Sequence, residues 1–556
     1  MESEPSTSSM PSEPSSSKIA STLTIKNLRL PPHAYAGLNH IHLPDDHQTL
    51  PLVDLDYVHF ETSSSSPTTN IVEVRLQPSS STSTSPPFER FHPFASTSRE
   101  IAPRLITELE TPPPTTQVLG QFTIPTLPYT QPHTNSAFDA RGSLAIPGGL
   151  CHPHIHLDKA YLLDRCTLST GTFDEALSST ADAKAKFTPD DVRQRMRRLV
   201  ASSVSHGVTT MRAFVEVDPT VGLMCLEAAV EVKKEYETSC EVQIVAFAQD
   251  AVFYPDDEEK QREMQALMEQ AASREEVDVV GSAPYVEALS KTDAQLPERE
   301  RKVKQKGQQA KNIDWIFDLA KRHGKHVDFH LDYDLDPPGP VEEGEQSMIP
   351  YVVSVSRSHL WDHRSGHKRS ITLGHCTKLS CFTEQDLAHL ASCFGSSTGP
   401  PISFVSLPPS DLYMQGRTQP YATRSRATLP LLSLASRPDL REHTNWAMGV
   451  NNVCNLFTPQ GDADPLALLP TMVGVWQSAK PEDCEVLLGS VSTRARIAAG
   501  LDEMWRDLTV IDGTVSVQGL VCAPSFGRLT IKNGRLVGRR RVVSEVFPLL
   551  MEAEGR

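Results

Sequence analysis

The middle of this chain repeats one punctuation: a helix-opening signal, apolar residues at helical spacing, a glycine, and then a short apolar strand. In Thr188-Pro189-Asp190-Asp191 the threonine can cap, the proline suits a first helical turn, and Val192, Met196, Leu199 and Val200 follow on one face. Gly207 ends that helix and VTTMRAFVEV reads as a strand. Ile313, Ile316, Phe317 and Ala320 repeat the face, Gly324 the stop, and HVDFH the strand. VQIVAF, SITLG and WAMGV are further short apolar strands among helix-length segments. Strands alternating with helices imply βα units around a parallel sheet, hence an α/β fold that is either a closed barrel or an open doubly wound sheet.

The ends have another character. STLTIKNLR, VDLDYVHFE and NIVEVRLQ alternate apolar and polar residues like strands, and serine- and proline-rich stretches that read as inserted surface loops separate them. Residues 1–18 are a polar tail with nothing to bury, expected to be disordered. Toward the C-terminus, LTVIDGTVSVQ and RLTIKNGRLVGRRRVV each hold two strand-like runs split by a glycine turn. LTIKN occurs at both ends, which suits strands of one small sheet bracketing the middle.

Composition excludes several partners. A net charge of -16 leaves no general nucleic-acid surface. No apolar run reaches the roughly 18 to 20 residues a membrane span needs, and the acidic, serine-rich start lacks a signal peptide's apolar segment. The expectation is a cytoplasmic protein with a small-molecule substrate, no nucleic acid or membrane partner, and a homo-oligomer as an open option. The 10 cysteines are scattered without a CxxC pair and read as reduced core thiols.

The densest polar cluster is Cys151-His152-Pro153-His154-Ile155-His156-Leu157-Asp158-Lys159. Residues two apart on a strand share a face, so His154 and His156 can address one cavity. His330 ends the strand HVDFH and His375 ends SITLGH. In a parallel barrel the carboxyl ends of the strands meet at one face, so these histidines would converge there on Zn²⁺ or Fe²⁺. His363 and His367, in WDHRSGHKRS, read as solvated loop residues, Arg539 to Arg541 as an exposed strand edge, and residues 297–311 as a solvated helix or insertion. No Walker loop, dinucleotide-binding glycine fingerprint or serine elbow stands in a strand-to-helix context.

The strings IPGGLCHPHIHLDKA, VQIVAFAQD, DVVGSAPYVE, HVDFHLDYDLD, ITLGHCTKL, LYMQGR and GVNNVCNLFTPQGDADP resemble successive blocks of the amidohydrolase superfamily, nearest its cytosine deaminase branch with the isopropylammelide amidohydrolase-like enzymes. The resemblance implies a metal-bearing (β/α)8 barrel over residues 148–505, with a small β-sandwich from both termini, residues 19–147 and 506–556. It also implies one divalent ion, Zn or Fe, with His154, His156 and His330 as ligands and His375 beside it orienting hydroxide and substrate. Gln249 matches a glutamine that bonds the substrate ring, with Phe247 on the same segment counted with it, and Lys159 resembles the lysine of an HxHxDK variant.

Two positions depart from the family pattern. Tyr333 stands where H-x-D-E has its proton-shuttling glutamate, and a phenol, with a pKa of about 10, is a poor shuttle at neutral pH unless depressed. Asp332 or Asp334 could substitute only if the loop turns one inward. Asn451 aligns with a metal-binding aspartate, and offers a carbonyl oxygen but neither charge nor base. The implied function is a metal-dependent hydrolase in which metal-bound hydroxide attacks a C–N bond of a cyclic amidine or amide-like small molecule, not a peptide. The alternative is a catalytically lapsed barrel that serves as a binding or scaffold protein.

Overall fold

The computed structural model describes residues 19–35, 50–60, 72–78, 116–119, 122–125, 136–359, 369–395, 402–501 and 505–542. The tail 1–18, the serine- and proline-rich loops between the N-terminal strands, and His363 and His367 lie outside the described residues.

The helix-then-strand rhythm closes into a barrel. Its strands are β1 (Leu150–His156), β2 (Val208–Glu216), β3 (Glu241–Ala248), β4 (Val277–Ser282), β5 (His326–Leu331), β6 (Ile371–His375), β7 (Ile402–Ser406) and β8 (Thr444–Met448). They pair in sequence order, all parallel, as one 8-stranded sheet. The seam between first and last strand lies at the carboxyl ends, where the His156 amide donates to the Asn451 carbonyl at 2.8 Å and the Asn451 amide to the His154 carbonyl at 3.3 Å. Gly449 permits that approach: a β-carbon there would stand 3.0 Å from the His154 carbonyl oxygen. β4 and β7, only six and five residues long, were not read as strands from the sequence.

Helix Pro189–Ser205 begins as its signal requires, with Thr188 accepting from the Asp191 amide and Val192, Met196, Leu199 and Val200 buried. The basic segment expected as a solvated helix opens the 26-residue helix Glu298–His323, which buries Ile313, Ile316, Phe317 and Ala320 before Gly324. Among the described residues no helix is long and apolar enough to cross a membrane. All 10 cysteines are free thiols, as expected, and half of them are buried.

The terminal β-structure is two four-stranded sheets and a two-stranded hairpin, Thr116–Leu119 with Phe122–Pro125, where the repeated LTIKN suggested one sheet. Ile19–Leu28 lies between Val53–Phe60 and Ser136–Asp139 in the first, and Arg528–Lys532 between Leu508–Ile511 and Arg535–Arg540 in the second. Leu144–Pro147 joins the second sheet to the barrel, and main-chain bonds between Arg29 and residues 143 and 145 stitch the two sheets together. The expected second strand at VSVQ is instead the start of helix Val517–Cys522, because Ser516 caps it by accepting from the Gly519 amide.

Inside the barrel, away from the strand ends that carry the histidines, lies a fully buried polar layer around Arg212 of β2. Its guanidinium donates to Asp328 of β5 at 3.1 Å, Thr372 of β6 at 2.7 Å, Ser370 at 3.0 Å and Gln243 of β3 at 3.3 Å. Burial pushes Asp328 up to about 7, with Arg212 opposing the rise. The folded acid thus holds its proton more tightly than the unfolded chain, and the fold loses stability as pH rises from 3.8 toward about 7. In Asp328→Asn that slope, at most about 1.4 kcal/mol per pH unit, is absent. Chemical unfolding from pH 4.5 to 7.5 is expected to show the variant gaining on the wild type as pH rises; parallel curves would reject the assignment.

Candidate metal centre and substrate cavity

Strict alternation along β1 would put His152, His154 and His156 on one side. The pairing of β1 with β2 slips between His152 and Ile155, at Pro153, which has no amide to donate. The slip sends His152 outward, where its Nε2 meets the Ser203 hydroxyl at 3.2 Å, and leaves His154 and His156 facing into the barrel.

His154 Nε2 lies 2.9 Å from His330 Nε2. His154, His330 and His375 each offer a ring nitrogen within 4.8 Å of the others. The His156 ring centroid is 5.5 Å from that of His154 and 5.3 Å from that of His330. Burial, reinforced by the neighbouring imidazoles and Lys159, holds His154, His156 and His330 well below the ordinary 6.5. The rings are therefore neutral, the form that ligates a metal. Phe214 stacks on His154 at 3.9 Å and Phe247 lies 4.3 Å from His330, so Phe247 packs behind the imidazoles and does not line the cavity. Gly374 leaves room for the His154 ring, since a β-carbon there would stand 2.9 Å from Cε1.

Asn451 donates Nδ2 to the Ser410 hydroxyl at 2.6 Å, while its Oδ1 is buried without a hydrogen-bond partner. Nδ1 of His154 and of His156 are buried and unpartnered too. A bound cation would answer the orphaned Asn451 oxygen, and a set of neutral imidazoles with one carbonyl oxygen fits a divalent ion. Asp332, His375 and Asn451, at or just beyond three strand ends, all have positive φ. Such backbone collects at functional sites.

His375 is held from behind. Its Nδ1 meets Asp411 Oδ1 at 2.8 Å, and Asp411 Oδ2 accepts from the Thr428 hydroxyl at 3.0 Å and from the Leu407 amide at 3.3 Å. A carboxylate on the outer nitrogen fixes both tautomer and ring direction, presenting Nε2 forward. Asp411 was missed from the sequence: it follows β7, and with that strand unread nothing marked residues 408–414 as a strand-end position.

The cavity at this face is open to solvent, and it encloses about 360 Å³ together with the solvent space at its mouth. Its polar residues include His156, His330, His375, Lys159, Gln249 and Asn451, and its aromatic walls are Phe173, Tyr285, Tyr333 and Phe457. Lys159 donates to Gln249 Oε1 at 2.8 Å and pairs with the buried Glu216, which in turn pairs with Lys184 at 2.8 Å. Burial alone would raise Glu216, but the two lysines hold it down at about 2. Tyr333 packs on His375, with centroids 4.2 Å apart. Burial, with Asp411 and Tyr285, pushes its hydroxyl well above 10, so it remains a phenol.

Asp332 and Asp334 turn away from the cavity. Asp332 accepts from the Ser347 hydroxyl at 2.5 Å and the Met348 amide at 3.1 Å, and Asp334 pairs with Lys378 at 2.9 Å. The structure thus brings together His154, His156, His330, His375, Asn451, Lys159, Gln249 and Tyr333, and leaves Asp332, Asp334 and Phe247 outside the cavity.

No family model matches the chain. It is 23% identical over 422 residues, 73% of this chain and 88% of the relative, to N-isopropylammelide isopropyl amidohydrolase of Pseudomonas sp. (strain ADP). Among solved structures it is similar to 5-methylcytosine deaminase from Klebsiella pneumoniae, with a TM-score of 0.64 at 20% identity over 94% of this chain and 99% of that one. It is also similar to N-isopropylammelide isopropylaminohydrolase from Burkholderia multivorans, with a TM-score of 0.59 at 17% identity over 93% of this chain and 98% of that one. In sequence and fold, then, the chain resembles the amidohydrolase superfamily in its deaminase-like branch.

Asp411→Asn keeps the size of the side chain but weakens its hold on His375. Any turnover at this site is expected to fall about 10- to 100-fold, with bound metal per chain and far-UV circular dichroism unchanged. Gly374→Ala is expected to displace the His154 ring and lower bound metal per chain while the barrel still melts cooperatively; full metal content in that variant would count against the packing argument.

Proposed function

We propose that the chain is a metal-dependent hydrolase that cleaves a C–N bond of a planar cyclic amide or amidine-like small molecule. The observation that carries this reading is the meeting of neutral imidazoles and the unpartnered Asn451 carbonyl oxygen at the carboxyl face of a parallel barrel, beside an aromatic-walled cavity. One divalent ion, Zn or Fe, would be held by His154, His156, His330 and Asn451 Oδ1, with His375 at its edge. When bound, such an ion polarises the scissile group and lowers the pKa of a water toward neutrality.

The residues around it divide the remaining work. Nε2 of His375 is free to take a proton from water in the cavity and return it to the departing nitrogen, while Asp411 on Nδ1 stabilises the imidazolium in between. This dyad answers for the absent carboxylates at positions 333 and 451. Lys159 and Gln249 form the polar edge that would orient a ring, and Phe173, Tyr285 and Phe457 would sandwich its faces. Tyr333, as a phenol, donates a hydrogen bond and moves no proton. The named activities of the similar proteins, removal of amine or ammonia from N-heterocycles, support the same substrate class.

The second reading, a lapsed barrel that only binds, is favoured by the replacement of both carboxylates by Tyr333 and Asn451.

Metal analysis after expression with Zn or Fe present is expected to give about one ion per chain, lost in His330→Ala; a protein free of metal would sink the hydrolase reading. A screen of pyrimidines and triazines for released amine is expected to find a substrate whose turnover falls about 10²- to 10⁴-fold in His375→Asn. Asp332→Asn is expected to lower thermal stability and leave the KM of that substrate unchanged.

A further inference from the structure

The lining of this cavity holds one charged side chain, the cation Lys159. Among the described residues no carboxylate lines it. The acids nearest its floor are committed, Glu216 to Lys159 and Lys184, and Asp411 to His375 and Thr428. In a chain of net charge -16, that exclusion of acids is local.

Arg417 adds a cation beside the cavity wall. Its guanidinium stacks on the Tyr413 ring, 4.5 Å from the centroid, and lies against Gly171, where a built β-carbon would come within 3.1 Å of Nη1. Gly171 is two residues before Phe173 of the cavity wall, and Tyr413 packs in one apolar cluster with Phe173, Tyr333 and Phe457. Gln415, on the same loop, donates to the Tyr333 carbonyl at 3.2 Å. Among the described residues no carboxylate pairs with Arg417, and its Nε is buried without a hydrogen-bond partner. Arg424 and Arg426 of that loop donate to main-chain carbonyls. A half-buried guanidinium held by packing, with a donor unused, is costly unless a ligand answers it.

We propose, resting on the hydrolase reading above, that the substrate is a planar heterocyclic anion, one edge on Lys159 and Gln249 and its negative charge answered by Arg417. A cationic ring would enter a cavity with no acid to pair with it, and a neutral ring would leave the Arg417 charge unanswered.

Barbiturate and uracil test this, since they share a six-membered ring and only the first is an anion at neutral pH. Titration calorimetry on the full-length, metal-loaded protein is expected to give barbiturate at least about tenfold tighter binding than uracil, with the gap narrowing as salt rises. Arg417→Gln is expected to cost barbiturate at least about tenfold and uracil less than about twofold, with Arg417→Lys between. Should the glutamine variant fail to fold, the wild-type ratio and its salt dependence decide. Equal binding of the two rings, an equal loss of both in Arg417→Gln, or no binding of barbiturate overturns the proposal. Amine release from a neutral ring, untouched by Arg417→Gln, would do the same while leaving the hydrolase reading intact.

Discussion

The site depends on the closure of the barrel between its first and last strands. Two main-chain hydrogen bonds join β1 to Asn451, three residues beyond β8, through the backbones of His154, His156 and Asn451 themselves. The same contact that shuts the cylinder therefore brings the paired imidazoles beside the amide opposite them. Gly449 lets the backbones meet, and the slip at Pro153 decides which β1 histidines look inward. Fold closure and site assembly are one event here, so a defect in the seam would be felt at both levels.

Around that seam, charge is kept in separate layers. The imidazoles are buried and neutral, the lysines and acids pair beside them, and positions 333 and 451 at the cavity hold the uncharged Tyr333 and Asn451. In the proposed reaction proton traffic would fall to His375 and Asp411, and the proposed anionic ligand would carry the same sign as the protein as a whole. Tyr333 illustrates the logic: its ring packs on His375, and the surroundings that make it a good wall also keep it protonated.

Much of this was legible in the sequence because period and position carry it. Helical spacing before Gly207 and Gly324 marked βα units, and histidines at the ends of HVDFH and SITLGH became meaningful once those ends shared a face. What was not legible depended on contacts distant in sequence. β4 and β7 are too short to carry a period, and without β7 the partner of His375 had no frame. Asp332 looked like a spare base until Ser347 and the Met348 amide turned it away. The two copies of LTIKN look alike locally, yet pairing distributes them to different sheets. At VSVQ, the Ser516 cap outweighed an alternating pattern.

The Arg212 layer gives the barrel a floor. Side chains from β2, β3, β5 and β6, with Ser370 just before β6, are cross-linked through one guanidinium with no exposed surface, so nothing passes through the cylinder from end to end. A molecule that enters must leave by the way it came, and in the proposed C–N hydrolysis the two products would share one doorway. Departure then becomes a queue, in which the fragment nearer the rim goes first and the one against the histidines waits for water to follow it in.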